Sequence, residues 1–529
     1  MVMKKIYLFA VVALMALHAQ AQETKATGDA YMAGQLTTED LNGTARFVGM
    51  GGAMDALGAD LSVISSNPAG IGLFRKSQVA GSFGLNSQVD GRTFADGSKT
   101  NASFDQAGFV YSSRTGQQSY INFAFNFHKS RNFDYVLSAA NKLNGSSQAN
   151  QTAYKDMNGL YDRNYLIESQ LDNLYLNNMV LEYDQATKEY YVVDYEGQDY
   201  EFDRAHTGYI GEYDINLSGN VNNRFYWGLT VGINDVHYKG YSEYFERLNS
   251  NRHPEVLISD NLKITGTGYS VKGGVIVRPF EESAFRLGAA VSTPVFYKLT
   301  ASNYTTIGTN VDNSQASEDF RFNTPWKFSF SAGHTIGTNV ALGAVYEYAD
   351  YAACDMRTID GHTYDYWNDS EYDKSSSDQV MKRQIEKTLK GVSTLKLGAE
   401  IKPVPQFALR VGYNYISPVY QENAVRDQTV PSSGVYYASS TDYTNWKDTH
   451  RLTFGIGTSI DKFRIDLAYQ YQMRNGDFYP FMKYYSADFY ETDANGKETG
   501  KIITLANSCE PVKVKDNRHQ FICTLSYTF

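Results

Sequence analysis

From residue 78 onward, apolar and polar residues alternate with a period of two along short segments of the chain. The clearest case is 120–128, where Ile121, Phe123, Phe125 and Phe127 alternate with Asn122, Ala124, Asn126 and His128. A strand of that pattern has one apolar face and one polar face. Comparable segments at 78–87, 104–113, 207–219, 225–238, 263–278, 284–299, 326–335, 340–348, 393–402, 407–415, 451–459, 463–471 and 518–529 bring the total to about fourteen strands. The even-numbered connections are turns of a few residues, whereas the odd-numbered ones are long, as at 129–206, 349–392 and 472–517. Short turns at one end and long loops at the other characterise an outer-membrane barrel with an even number of strands. A sandwich or propeller has no reason to place every long loop on one side. The pattern therefore predicts an all-β fold, a 14-stranded antiparallel transmembrane β-barrel over 76–529 with its long loops outside.

Three segments depart from the alternation. Residues 22–75 lack it and are dense in small residues around Gly49, Gly51, Gly52 and Ala53. Such a stretch packs backbone tightly and suits a plug, or hatch, inside a barrel of this size. In the first large loop Met157, Leu160, Ile167, Leu171 and Leu174 recur at helical spacings. That stripe either pins the loop to the barrel rim or lines an apolar groove at the outer mouth. A second helix begins near Ser377 and Asp378 and carries Val380, Met381, Ile385 and Leu389 on one side.

The two ends add a destination. Lys4 and Lys5 precede an apolar run over 6–17 and then Ala19, Gln20 and Ala21, which reads as a secretory signal peptide over 1–21. The run is shorter than the roughly 20 apolar residues a spanning helix needs. At the other end Phe521, Cys523, Leu525, Tyr527 and Phe529 alternate with Thr524, Ser526 and Thr528. Leu525, Tyr527 and the terminal Phe529 resemble the signal that barrel-assembly machinery reads. Mean hydropathy is −0.43, and without spanning helices only a closed barrel satisfies every backbone polar group in lipid. The 42 tyrosines and 29 phenylalanines suit a wall where lipid meets water.

Chemistry is sparse. A net charge of −10 argues against a nucleic-acid partner, and three cysteines are too few for a disulfide framework. Gly49-x-Gly51-Gly52 follows no apolar strand and lacks the third glycine of a dinucleotide loop. No G-x-S-x-G, H-E-x-x-H or paired-cysteine spacing occurs, so neither an enzyme nor a metal or cofactor site is expected. His362 is a loop histidine that could reach haem iron, and the acidic residues around Asp369 and Asp373 read as a solvated loop.

Several patches together resemble the outer-membrane fatty-acid transporter (FadL/TodX) family. They are the Gly51-Gly52-Ala53 run, the tetrapeptide Asn67-Pro68-Ala69-Gly70, Leu395 to Glu400, Leu409 to Tyr413, Ser417-Pro418, Phe454 to Gly457 and Ile465 to Tyr469. The resemblance implies an N-terminal hatch, passive uptake of hydrophobic small molecules such as long-chain fatty acids, and a gating role for Asn67, Pro68, Ala69 and Gly70. It further implies a monomer in contact with outer-membrane lipid and lipopolysaccharide. Relatives labelled hemin receptors make hemin binding an alternative, and a structural or surface-interaction barrel without transport is another. In one respect the chain departs from the family: the third strand, 120–128, has no glycine or proline to mark the kink associated with a lateral opening.

Overall fold

The computed structural model describes residues 26–163, 167–186, 188–308, 310–311, 316–367, 369–492 and 498–529; the expected signal peptide lies outside the described residues. Fourteen wall strands run antiparallel in chain order. They are β1 (Gln78–Gln88), β2 (Thr100–Arg114), β3 (Tyr120–Asn132, resumed at Tyr135–Lys142), β4 (Gly197–Val221), β5 (Phe225–Leu248), β6 (Glu255–Val277) and β7 (Arg286–Ser292 and Phe296–Ile307). The second half comprises β8 (Ala316–Asn323 and Lys327–Ile336), β9 (Val340–Asp350, resumed at Asp355–Asp365), β10 (Gly391–Val404), β11 (Phe407–Ile416), β12 (Tyr443–Ile460), β13 (Phe463–Tyr479) and β14 (Val512–Lys515 and Arg518–Thr528). The ring closes between β1 and β14, from Gln78 opposite Thr528 to Gln88 opposite Arg518. Closure gives every wall strand a partner on both sides, which is what a lipid surround demands.

The two faces of the wall separate as the alternation requires. Phe83, Phe109, Ile121, Leu217, Leu229 and Leu525 stand outward with exposures between 42% and 57%. Their inward neighbours Asn122, Asn126, Asn216 and Ser218 are fully buried. The tight turn between β4 and β5 uses Asn222 and Asn223, both with positive φ near 54° and 53°. Asparagine tolerates that conformation, and two such residues in succession match the twist of a hairpin.

The strands differ from the expected boundaries chiefly at the long-loop end. β4 starts at Gly197 instead of 207, β5 runs on to Leu248, and a strand over Ala316–Asn323 lies within the expected loop 300–325. Beyond the lipid-facing band neither face needs to be uniformly apolar, so the period of two fades although pairing continues; Tyr200, Phe202 and Tyr244 turn inward there. The segment 284–299 is not one strand, because Pro294 has no N–H to give the ladder, and Pro325 makes the matching break in β8.

Above the barrel the helices Ala149–Met157 and Gln170–Tyr175 fold over the mouth. Leu171, Leu174 and Tyr175 pack with Tyr135, Phe202, Phe478 and Phe481 in one apolar cluster. A buried ion pair between Lys155 and Asp172 (2.6 Å), 1% and 4% exposed, ties the two helices together. The second expected helix is Gln379–Thr388; Asp378, rather than Ser377, caps it, and Met381, Ile385 and Leu389 are buried.

Candidate functional site: a filled lumen with two chambers

Residues 26–77 run down the inside of the barrel from the long-loop end to the short-turn end. At the top, Asp29 caps the helix Ala30–Thr37 by accepting from Met32 N (2.7 Å). Tyr31 stacks on Tyr420 of a long loop at 4.9 Å between ring centroids. Lower down, Arg46 pairs with Glu400 of β10 (3.1 Å), and Asp55 accepts from Ser66 (2.6 Å) and from Ser329 of β8 (3.1 Å).

Asn67, Pro68, Ala69 and Gly70 sit at the bottom, all fully or nearly fully buried. The Asn67 side-chain Oδ1 accepts from Ala69 N (3.1 Å) and starts the turn Pro68–Leu73, while its Nδ2 has no partner. These residues lie flush against bare backbone of the wall. A Cβ placed on Gly228 of β5 would come within 2.3 Å of the Pro68 carbonyl carbon, and one on Gly274 of β6 within 2.1 Å of Asn67 Oδ1. The same holds around the ring, where Gly343 meets Ala53 O (1.9 Å), Gly398 meets Met50 O (2.3 Å) and Gly412 meets Gly51 N (2.2 Å). A belt of inward glycines thus forms the seat on which the lumen segment rests. Gly398, Gly412 and Gly455 fall inside sequence patches that carry the family resemblance, so those patches mark the seat.

Among the described residues, two cavities stack along this segment and share a border. The outer one, about 140 Å³, lies under the loops and combines aromatic side chains such as Tyr135, Tyr420 and Trp446 with arginines. The inner one, about 150 Å³, is lined by Leu36, Leu41, Phe47 and Tyr297 together with Glu212, Lys272, Lys327 and Lys396. Thr38, Asp40, Arg131, Ile416 and Arg451 border both. Asp40 is the pin of this neck: it pairs with Arg131 of β3 (3.0 Å) and Arg451 of β12 (3.4 Å) and accepts from Asn132 N (2.9 Å). Arg426, on a long loop above, is buried, which disfavours its charge. Asp29 (2.5 Å) and Asp442 outweigh that burial and raise its pKa above the ordinary arginine value.

The wall itself has a weak seam beside the neck. Pairing of β2 with β3 stops at Gln106 opposite His128, although β2 continues outward to Thr100 against β1. β3 then shifts register against β4 between Lys129 and Arg131, without needing a glycine or proline. Side chains span the seam instead of a ladder: Asn42 donates to Asp105 and to Lys129 O (both 3.2 Å), and Lys129 Nζ donates to Ser103 (2.9 Å).

The other sequence-derived residues lie elsewhere. Ile167, Leu171 and Leu174 are buried in the cap, Leu160 is half-buried, and none of the four borders either cavity. Leu525 and Phe529 face outward on β14 and at its end. His362 sits exposed on the hairpin Asp355–Asp365/Ser370–Ser377, where its Nδ1 lies 3.0 Å from Asp373. Spacing alone did not reveal the charged residues of the inner face. Among the described residues one cluster has ligand-type atoms within 4.8 Å, His128, Glu212 and Asp214. The Lys272 ammonium already bonds Glu212 and lies 3.5 Å from Asp214, taking the place of a cation.

No protein-family model and no curated protein matches the chain by sequence. Among solved structures it is similar to a FadL homologue of Pseudomonas aeruginosa, with a TM-score of 0.50 at 12% identity over 93% of this chain and 99% of that one. The toluene transporters TbuX of Ralstonia pickettii (TM-score 0.45, 12% identity, 92% and 99% covered) and TodX of Pseudomonas putida (0.45, 11%, 93% and 99%) are further similar structures. At such identity the likeness to the FadL homologue concerns the fold, which the chain shares over 93% of its length.

Proposed function

We propose that this chain is a FadL-like importer of the bacterial outer membrane that admits hydrophobic or amphipathic small molecules without a chemical step. The observation that carries the reading is a lumen occupied by the chain's own N-terminal segment, with two cavities stacked along it that meet at Asp40. An open pore needs no such filling, and a purely structural barrel needs no chambers. A ligand enters beneath the cap, occupies the outer chamber, and passes the neck when Asp40 releases Arg131 or Arg451. From the inner chamber two exits are available: displacement of the Asn67–Pro68–Ala69 turn toward the short-turn end, or the polar-bridged seam between β2 and β3. Burial of apolar surface at about 25 cal/mol per Å² supplies the affinity. Long-chain fatty acids and monoaromatic hydrocarbons are both reasonable test ligands under this reading. Uptake of each by cells carrying the wild type or Asn67→Ala tests it. Slower uptake in the variant, at equal amounts of folded barrel in the membrane, is the expected result; unchanged uptake of every ligand removes the gating role.

A further inference from the structure

We propose that the outer chamber is built for a compact aromatic anion, an aryl carboxylate or its equivalent, rather than for a long acyl chain or a neutral hydrocarbon. The inference rests on the transport reading above and names its ligand class.

The first ground is a surplus of fixed positive charge. Arg131, Arg204, Arg426, Arg451, Arg474 and Arg518 all border this cavity. They share four carboxylates: Asp40 serves Arg131 and Arg451, Asp516 serves Arg474 and Arg518 (both 2.5 Å), Asp442 serves Arg204, and Asp29 serves Arg426. The remaining charges of the lining do not reverse that surplus. Asp260 is held by the hydroxyls of Thr305 and Ser439, while Lys447 points to Asp477 at 3.3 Å. Three guanidinium Nε atoms, on Arg131, Arg204 and Arg474, have no acceptor. Buried cations without matching anions are unfavourable, and a bound anion removes that imbalance with bidentate geometry that arginine suits.

The second ground is shape. In the lining Tyr31 and Tyr420 stack at 4.9 Å, Tyr443 lies 5.3 Å from Tyr31, and Tyr135 meets Trp446 edge-on at 5.7 Å. The Arg474 guanidinium lies over the Trp446 ring at 4.3 Å. Flat faces of rings and guanidinium groups accept a planar ligand. The third is size. A cavity of about 150 Å³ holds a benzene ring, and this one measures about 140 Å³. A long acyl chain exceeds it.

The pairings supply clean variants. Because Asp40 and Asp516 each have two arginine partners, Arg451→Gln and Arg474→Gln remove one positive charge without stranding a carboxylate. Isothermal titration of the detergent-solubilised full chain with benzoate and with its neutral isostere benzamide, against protein-free micelles, tests the assignment. Benzoate is expected to bind at least ten-fold more tightly than benzamide. Each glutamine variant is expected to cut benzoate affinity about ten-fold and benzamide affinity by much less, and Arg474→Lys to keep most of the preference. Heat-modifiable migration confirms that each variant is a folded barrel. Equal affinity for the two probes, no benzoate binding, or an equal loss of both in the variants overturns the anion assignment. Uptake of toluene by intact cells reads the transport proposal separately: if it persists while the benzoate preference is absent, only the ligand class has failed.

Discussion

Replacing Gly228 by alanine tests whether the glycine belt seats the lumen segment. The added Cβ would stand 2.3 Å from the Pro68 carbonyl carbon, 2.4 Å from its oxygen and 2.6 Å from Ala69 N. All three are backbone atoms, so no side-chain rotation relieves the clash, and the Pro68–Leu73 turn must lift away from β5. Overpacking of this kind costs about 1–3 kcal/mol, which lowers the docked-to-undocked ratio by about 5- to 150-fold. Gly273→Ala on β6 is the control, because its Cβ meets nothing within 4 Å. That change is expected to be neutral or mildly stabilising, since glycine in a strand is weaker than alanine by about 0.5–1 kcal/mol. Hydrogen exchange of residues 67–74 and single-channel conductance in planar bilayers read the outcome. Gly228→Ala is expected to speed exchange of the turn and to raise conductance or its fluctuations, with Gly273→Ala matching wild type. If the two variants behave alike in both measurements, the seating argument is refuted.

Three further outcomes are expected. Asp40→Asn leaves Arg131 and Arg451 without their shared carboxylate, a loss at the lower end of the about 3–5 kcal/mol of a buried pairing, because the Asp40 side chain keeps 20% exposure; faster amide exchange over residues 38–42 checks it. Lys155→Met strands the buried Asp172 carboxylate and loosens the cap by a similar amount, so limited proteolysis should cut the loop carrying Ala149–Met157 sooner than in wild type. Stability of the cap should also depend on pH through Glu246, at the end of β5 far above the lipid-facing band. Burial, only partly offset by hydrogen bonds from Tyr244 and Gln148 N, raises its pKa to about 7. A carboxyl raised above its unfolded value favours the folded state when protonated, so stability is greatest below the ordinary glutamate range and is lost as pH climbs toward 7. The swing is about 3 kcal/mol. Thermal unfolding at pH 5 and pH 8 should show the higher midpoint at pH 5, and Glu246→Gln should flatten the difference.

The container was largely legible in the sequence, and the passage was not. Alternation such as Ile121/Asn122 through Phe127/His128 is forced wherever one face meets lipid and the other the lumen, so all fourteen strands could be placed. Their outer extensions could not, because above the band Tyr200, Phe202 and Tyr244 obey local packing instead of a two-sided rule. The break in β3 was invisible because a register shift at Lys129 and Arg131 needs no special residue. The proline break in β7 was in plain view at Pro294, where the apolar pattern of 284–299 outweighed the missing N–H; Pro325 bounds the expected strand 326–335, and the part of β8 beyond it, Ala316–Asn323, had no clean alternation to show it. Asn67 was reached only through resemblance, although its setting has a physical signature in the inward glycines Gly228, Gly274, Gly398 and Gly412. The arginines of the outer chamber come from strands and loops far apart in the chain, and only the closed ring brings Arg131, Arg204, Arg451 and Arg518 to one cavity. The charged residues at inward positions of otherwise clean dyads, such as Lys396, Glu400 and Arg410, are buried here beneath the lumen segment, but their spacing alone does not separate a filled lumen from a water-filled pore.

The central claim is that small molecules cross the outer membrane through this plugged barrel. Initial uptake of radiolabelled toluene and benzoate by intact cells with and without the protein, measured across a range of low concentrations, tests it most directly. Saturable uptake that requires the protein, for at least one of the two ligands, is the predicted result. Uptake at the same rate and without saturation in both kinds of cell, for both ligands, would contradict it.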